Sequence, residues 1–323
     1  MNFKGKKVLV AGGTGLIGIP LVEILLQKGA DVRIASRDDK SRAHPNAEFW
    51  NVDLLDFENC LKVCRGMDFV FNLLCVKGSP EAVSKYKVEF FENNLLLDIL
   101  LLKAARIESV PGFLLASSLA VYPPAEIFYE NDMWKANPSQ KDWYAGWAKR
   151  MGELHAQAHQ EKFFNSMKIS IVRPTNTYGP NDNFNPESAM VIPSLIRRVV
   201  GSENPLIMNG RGNEIRDFIH ARDMARGMVI VAEKEMQYPV NLGSGNGTTI
   251  RNLLMNIIDA SNAKPDIEWR PSEVSGDAVR VLNTKRAELA GFFPEISLAQ
   301  GIRETVEWYK ENKDKLKKQF NPF

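Results

Sequence analysis

The sequence predicts an α/β fold built on a doubly wound parallel sheet, and two observations carry that expectation. Apolar strand-like runs alternate with longer amphipathic stretches through about the first 175 residues, and the first strand enters the glycine-rich turn Ala11-Gly12-Gly13-Thr14-Gly15-Leu16-Ile17-Gly18. Alternation of this kind is the pattern of a parallel sheet covered on both faces. Strand, glycine turn and helix in that order open a nucleotide-binding βαβ unit.

Taken in chain order, the strands are expected at 7–11, 31–35, 47–50, 68–74, 112–117 and 168–172. They are short, rich in Val, Ile, Leu and Phe, and separated by stretches long enough for crossover helices. The first helix follows the glycine turn, with Leu16, Ile17, Leu21, Ile24 and Leu25 on its apolar side. Two longer helices are expected over about 88–106 and 143–164. Ligands of such a sheet lie at the carboxyl ends of its strands, so chemistry is expected in the loops 12–18, 36–40, 53–56, 74–80, 117–124 and 173–185. Beyond residue 175 the alternation breaks into proline- and glycine-rich loops with scattered helices. Residues 1–175 are therefore expected to form the dinucleotide-binding domain, and 176–323 mainly a smaller α/β substrate-binding part, interleaved with the sheet and without a clean linker.

Composition narrows the class. With 323 residues and 44% hydrophobic content the chain can bury a large core. No apolar run approaches the roughly 18 residues that span a bilayer, and Met1-Asn2-Phe3-Lys4 lacks a secretory core, so the expectation is a cytoplasmic protein with no membrane partner. A net charge of +2 gives no reason to expect nucleic acid. The basic run Lys313-Asp314-Lys315-Leu316-Lys317-Lys318 reads as a solvated helix end. Cys60, Cys64 and Cys75 read as buried thiols, and His155 with His159 lacks the glutamate of a zinc-protease helix, so no metal is expected.

The glycines have separate tasks. Gly12 allows the tight turn, Gly15 lets backbone N–H groups approach a pyrophosphate, and Gly18 lets the helix pack close to the sheet, with the anion at the helix N-terminus. Thr14, Leu16 and Ile17 complete this cofactor-binding turn. At the end of the second strand, where an acidic residue would bind both ribose hydroxyls of NAD, the sequence has Ser36-Arg37. A hydroxyl beside a guanidinium suits a 2′-phosphate, which points to NADP over NAD.

The loop motifs, in order, are GGTGLIG (12–18), Asp53-Leu54, SSLAVY (117–122), YAGWAK (144–149), RPTNTYGP (173–180), RDFIHARD (216–223) and NLGSG (241–245). Together they resemble the extended short-chain dehydrogenase/reductases of the nucleotide-sugar epimerase/dehydratase family, over about nine tenths of the chain. The stretch 178–198 is most similar to the GDP-L-fucose synthase branch. The resemblance implies that Asp53 and Leu54 face the adenine, Leu73 and Leu74 line the cofactor, and Pro174 lies beside the nicotinamide. It further implies that Asn176, Arg216 and Arg280 hold a nucleotide-diphosphate sugar, and that two copies pair as a homodimer through the two long helices. Arginine forks match diphosphate oxygens, although Asp217 or Glu214 could instead neutralise Arg216.

The family's catalytic group is a serine or threonine, a tyrosine, and a lysine four residues after the tyrosine. Ser118 and Lys149 match, and the resemblance implies that Lys149 also holds the nicotinamide ribose of the cofactor; the tyrosine does not match. Ala145 stands four residues before Lys149, and Tyr144 stands five before it. On a regular helix that fifth residue is rotated by roughly a further 100°. Three explanations stay open: a π-bulge or late helix start that brings Tyr144 into register, another acid/base such as Tyr122, Tyr178 or a water, or loss of redox chemistry.

Two departures narrow the reaction. The cysteine and histidine that epimerise beside the ketone in the fucose synthase branch correspond to Leu119 and Asn181, and the acidic pair of the 4,6-dehydratases corresponds to Leu119 and Ala120. Neither leucine nor asparagine exchanges a proton near neutral pH. Hydride transfer at C4 of a nucleotide-diphosphate hexose is the leading expectation, as a 4-epimerase or an NAD(P)H-dependent 4-keto reductase. The alternatives are a 4,6-dehydratase with relocated acid and base, and a dinucleotide-binding sensor without turnover.

Overall fold

The computed structural model describes residues 1–76, 78–270 and 277–316. In chain order its principal elements are β1 (Lys7–Ala11), α1 (Gly18–Gln27), β2 (Asp31–Ser36), β3 (Glu48–Asn51), α2 (Phe57–Cys64), β4 (Phe69–Asn72), α3 (Pro80–Lys85), α4 (Lys87–Ile107), β5 (Gly112–Ala116), β6 (Ile127–Phe128), α5 (Trp143–Phe163) and β7 (Lys168–Pro174). There follow β8 (Asn176–Tyr178), α6 (Val191–Val200), β9 (Leu206–Asn209), β10 (Ile215–His220), α7 (Ala221–Glu233), β11 (Val240–Leu242), β12 (Gly247–Thr249), α8 (Ile250–Ser261), β13 (Ile267–Arg270), β14 (Val279–Leu282), α9 (Lys285–Leu289) and α10 (Leu298–Asn312).

Seven strands form one parallel sheet in the order β11-β7-β5-β4-β1-β2-β3. The chain winds outward from β1 through β2 to β3, then returns to β4 on the other side of β1. That reversal opens a crevice at the carboxyl ends of β1 and β4, the place where doubly wound sheets bind ligands. All six expected strands are present. The seventh, β11, is drawn from beyond residue 175, as an interleaved chain requires, and α7 returns with it to pack against α1.

Apolar side chains close both faces of the sheet. Val8, Val10, Val32, Ile34 and Phe71 face α1 and α7 through Leu21, Leu25, Met224 and Met228. Leu9, Val70, Phe113, Leu115 and Ile169 face the other way, against Val63, Leu97, Leu101 and Ala156 of α2, α4 and α5. A third cluster, with Ile196, Leu253, Leu254, Ile257, Ile302 and Val306, holds α6, α8 and α10 together. Beside it stands a smaller sheet in the order β12-β10-β14-β6, with β8 on β10.

Among the described residues no helix is long and apolar enough to cross a membrane, and no group of three or more metal-ligating side chains occurs. Cys60 and Cys64 are buried, and burial pushes the Cys60 thiol up to about 12. Cys75 corrects the sequence reading. It is exposed, because β4 ends at Asn72 and the next residues form the floor of the crevice rather than more strand. Of the basic run at the end of the chain, Lys317 and Lys318 lie outside the described residues.

Candidate active site

The glycine turn is built as its sequence implies. Gly12 sits at φ +85°, and a Cβ on Gly18 would lie 2.2 Å from the Gly12 carbonyl oxygen, so any larger residue would push α1 off the turn. Thr14 is buried, with its hydroxyl 2.6 Å from that of Ser36 and donating to Asp38 at 2.7 Å, which ties the turn to the end of β2.

Two adjoining cavities run along the crevice. The first, of about 240 Å³, is lined by Gly15, Leu16, Ser36, Arg37, Asp38, Arg42, Asp53, Leu54, Leu74 and Asn181, among others. Its wall mixes the apolar Leu16, Leu54 and Leu74 with the polar Ser36, Arg37, Asp38, Arg42 and Asp53. Arg37 donates to Asp53 at 2.9 Å, so two residues expected to face the cofactor also hold each other. Asp38 and Arg42 were not singled out from the sequence. Arg42 reaches back from a short 3₁₀ turn to donate to the Thr14 carbonyl at 3.2 Å, and its buried Nε has no hydrogen-bond partner among the described residues, with the nearest Asp38 oxygen 3.8 Å away. A buried guanidinium N–H without a partner suits an incoming anion.

The second cavity, of about 260 Å³, lies deeper. Ile17, Leu73, Cys75, Ser118, Leu119, Ala145, Lys149, Pro174, Asn176 and Arg280 are among its walls. Ser118 caps the 3₁₀ turn that follows β5; its Oγ accepts from the Ala120 N–H at 3.1 Å, and its O–H has no acceptor among the described residues. Gly146 brings α5 onto this turn, since a Cβ there would stand 2.5 Å from the Ala120 carbonyl oxygen.

Lys149 is 1% exposed. Its ammonium donates to both Asp98 oxygens at 3.0 and 3.1 Å, to the Ala116 carbonyl at 3.1 Å and to the Leu74 carbonyl at 3.3 Å. Gly152 permits this pairing, because a Cβ there would lie 2.7 Å from Asp98. Burial pushes the Asp98 carboxyl up to about 6 against the pull of the ammonium. Burial is the largest single influence on Lys149 and works to lower it, but the charge and hydrogen bonds of Asp98, with the nearby Cys75 and Glu153, together outweigh it and the net direction is upward. Lys149 thus clamps the ends of β4 and β5 as well as lining the cavity. Asp98 is a functional partner the sequence reading missed; its place in the apolar helix run Leu95-Leu96-Leu97-Asp98-Ile99 was the available signal.

The tyrosine register is settled against the bulge. Helix α5 is α-helical without interruption from Trp143, Tyr144 is 37% exposed, and the cavity wall carries Ala145 instead. A regular helix places the residue four before Lys149 over it, and the phenol one position earlier is turned off that face. Tyr122 does not replace it, since its buried hydroxyl donates to Asn241 at 2.6 Å and accepts from Arg173 at 2.8 Å. Tyr178 lines the cavity, but its hydroxyl donates to the Leu298 carbonyl at 3.3 Å and burial raises its pKa.

Of the expected substrate ligands, Asn176 and Arg280 line the cavity and Arg216 does not. Arg216 lies beside Arg280 across the β10–β14 pairing and donates to the Ile215 and Asp277 carbonyls at 2.8 and 2.9 Å. It braces the segment that carries Arg280. A larger depression of about 830 Å³ lies elsewhere, between α5 and the segment Glu235–Pro239 that leads into β11, and the Glu153–Arg173 pair lines it. Both charges there are buried and mutually satisfied, and neither the glycine turn nor Lys149 reaches it, so volume is a poor guide to this site.

A model of the NAD-dependent epimerase/dehydratase family matches residues 8–243, which takes in the glycine turn, both cavity floors and β11. The chain belongs to that family. Relatives in the family align end to end. A probable GDP-L-fucose synthase of Oryza sativa subsp. japonica is 28% identical over 98% of this chain and 95% of its own length. A dTDP-4-dehydro-6-deoxy-D-allose reductase of Streptomyces bikiniensis is 26% identical over 96% and 98%. Among solved structures, the UDP-glucose 4-epimerase of Thermus thermophilus in complex with NAD superposes with a TM-score of 0.83 at 26% identity, over 94% of this chain and 99% of that one.

Proposed function

We propose that this member of the epimerase/dehydratase family binds a nicotinamide dinucleotide along the crevice and uses it for hydride transfer at C4 of a nucleotide-diphosphate hexose, as a 4-epimerase or a 4-keto reductase. The observation that carries the reading is the convergence of Ser118, Lys149, Pro174, Asn176 and Arg280 on one cavity continuous with the glycine turn. A bound nicotinamide would supply the hydride acceptor or donor. The chain's own residues do the rest: Ser118 donates its O–H to the reacting sugar oxygen, Lys149 fixes the cavity floor with Asp98, and Arg280 takes a diphosphate oxygen. With alanine where the family has its phenol, the proton passes to or from solvent at the half-buried wall around Ala145.

Leu119 and Ala120, at the positions of the dehydratase acid and base, weigh against 4,6-dehydration. A second reading has specific support. Ala145 and the engagement of Lys149 by Asp98 both suit a dinucleotide-binding sensor without turnover. Incubation with a panel of UDP-, GDP-, CDP- and dTDP-hexoses and their 4-keto forms separates the readings: an epimerised or reduced product favours the enzyme, and dinucleotide binding with no product favours the sensor. A cytoplasmic location and a homodimer through α4 and α5 belong to the same proposal, the latter supported by exposed Leu96, Ile107 and Leu154 on those helices.

NADP is the preferred cofactor in this reading, since Arg37 and Arg42 both border the adenosine end. Asp38 in the same wall offers the ribose contact an NAD site would use. Arg37→Asp and Arg42→Gln are each expected to weaken NADP(H) by roughly 10-fold while leaving NAD(H) nearly unchanged, the scale of one charge-assisted contact. Calorimetric titration of both dinucleotides checks it; wild-type protein that binds NAD(H) as tightly as NADP(H) would reverse the assignment.

A further inference from the structure

The substrate end of the cavity carries an ion pair between two of its own walls. Asp142 closes a short 3₁₀ turn, Gln140–Asp142, that runs directly into α5, and its side chain makes no capping bond to that helix. It reaches across to β14 instead and accepts from Nη2 of Arg280, 138 residues away in sequence. Both side chains line the cavity. Arg280 has a second carboxylate near it, Asp277, whose Oδ2 lies 3.8 Å from Arg280 Nε. Those two atoms are buried and make no hydrogen bond among the described residues, so the contact is a charge contact only. Arg216 and Arg280 stand against three carboxylates, Asp142, Asp277 and Glu214, so a diphosphate entering the cluster meets no net positive charge.

We propose that Asp142 is a specificity-determining residue that occupies Arg280 until a diphosphate displaces it, so that the affinity for the nucleotide part of the substrate is set by competition between these two anions. The idea rests on the nucleotide-sugar reading of the site. A monoanionic or neutral sugar lacks the charge to take Arg280 from a carboxylate already seated on it, whereas a diphosphate brings more charge and a second oxygen to the planar guanidinium fork. Asp142 therefore screens ligands by their charge, and it does so from the helix that carries Ala145 and Lys149.

The test titrates the full chain, saturated with NADP(H), with GDP and with UDP. Asp142→Asn keeps the shape and removes the charge; it is expected to tighten whichever nucleoside diphosphate binds by roughly three- to tenfold at low salt, an effect that added salt shrinks. Asp142→Ser, which can cap the helix, is expected to do the same and guards against a folding artefact. Arg280→Met is expected to weaken the same ligand by roughly tenfold or more. Unchanged or weaker binding in both Asp142 variants, with weakening in Arg280→Met, would overturn the competition and leave the substrate reading standing. Binding of neither nucleoside diphosphate to the wild-type protein would overturn both.

Discussion

Replacing Ala145 by tyrosine is expected to raise turnover of a nucleotide hexose by about 100-fold or more, the scale on which a positioned proton-transfer group acts. The uninterrupted helix from Trp143 to Phe163 puts residue 145 over Lys149 and on the cavity wall that Ser118 also lines, where a phenol could reach the reacting oxygen of the proposed substrate. Tyr144→Phe, by contrast, is expected to leave turnover unchanged, because its ring forms no part of that wall. Initial rates of both variants at saturating substrate, with circular dichroism to verify folding, decide the matter. A folded Ala145→Tyr protein with no gain, or a large loss in Tyr144→Phe, would mean that another group already transfers the proton.

The second large effect concerns stability. Lys149→Met leaves the Asp98 carboxylate buried without its cation, and breaking a buried pair from one side is expected to cost about 3–5 kcal/mol. Asp98→Leu combined with Lys149→Met removes both charges and is expected to recover most of that loss, since two apolar side chains need no partner. Urea denaturation of the two proteins measures it. A Lys149→Met protein as stable as the wild type would show that Lys149 holds no essential clamp, and would return it to a purely cofactor-facing role.

The strands, the glycine turn and the sheet's covered faces were legible because each has a local cause: a period of apolar residues, or a backbone conformation that only glycine takes easily. Ser118, Lys149, Pro174 and Asn176 were singled out through the resemblance of the loop motifs to a known family, and all four line the cavity. What was not legible depended on long-range partners. Asp98 and Lys149 are 51 residues apart and Asp142 and Arg280 are 138 apart, so even where a local signal exists, as for Asp98 in its apolar helix run, the sequence does not name the partner. Arg216 was placed among the substrate ligands because the family resemblance implied it, but the pairing of β10 with β14 sets it beside the cavity and, of the two arginines, only Arg280 lines it. Tyr144 was a question of helix register, and a one-residue difference from the family spacing is real once the helix is seen to be regular.

Hydride transfer between a nicotinamide and C4 of a nucleotide hexose is the chemistry proposed for this cavity. NADPH deuterated at its transferable nicotinamide hydrogen, incubated with the wild-type protein and 4-keto nucleotide hexoses of each base, tests that directly when the sugar product is examined by mass spectrometry and proton NMR. The expected result is one deuterium in the product, located at C4. Deuterated cofactor that binds and is recovered intact, with no label in any sugar, would contradict the claim and leave a dinucleotide-binding protein without turnover.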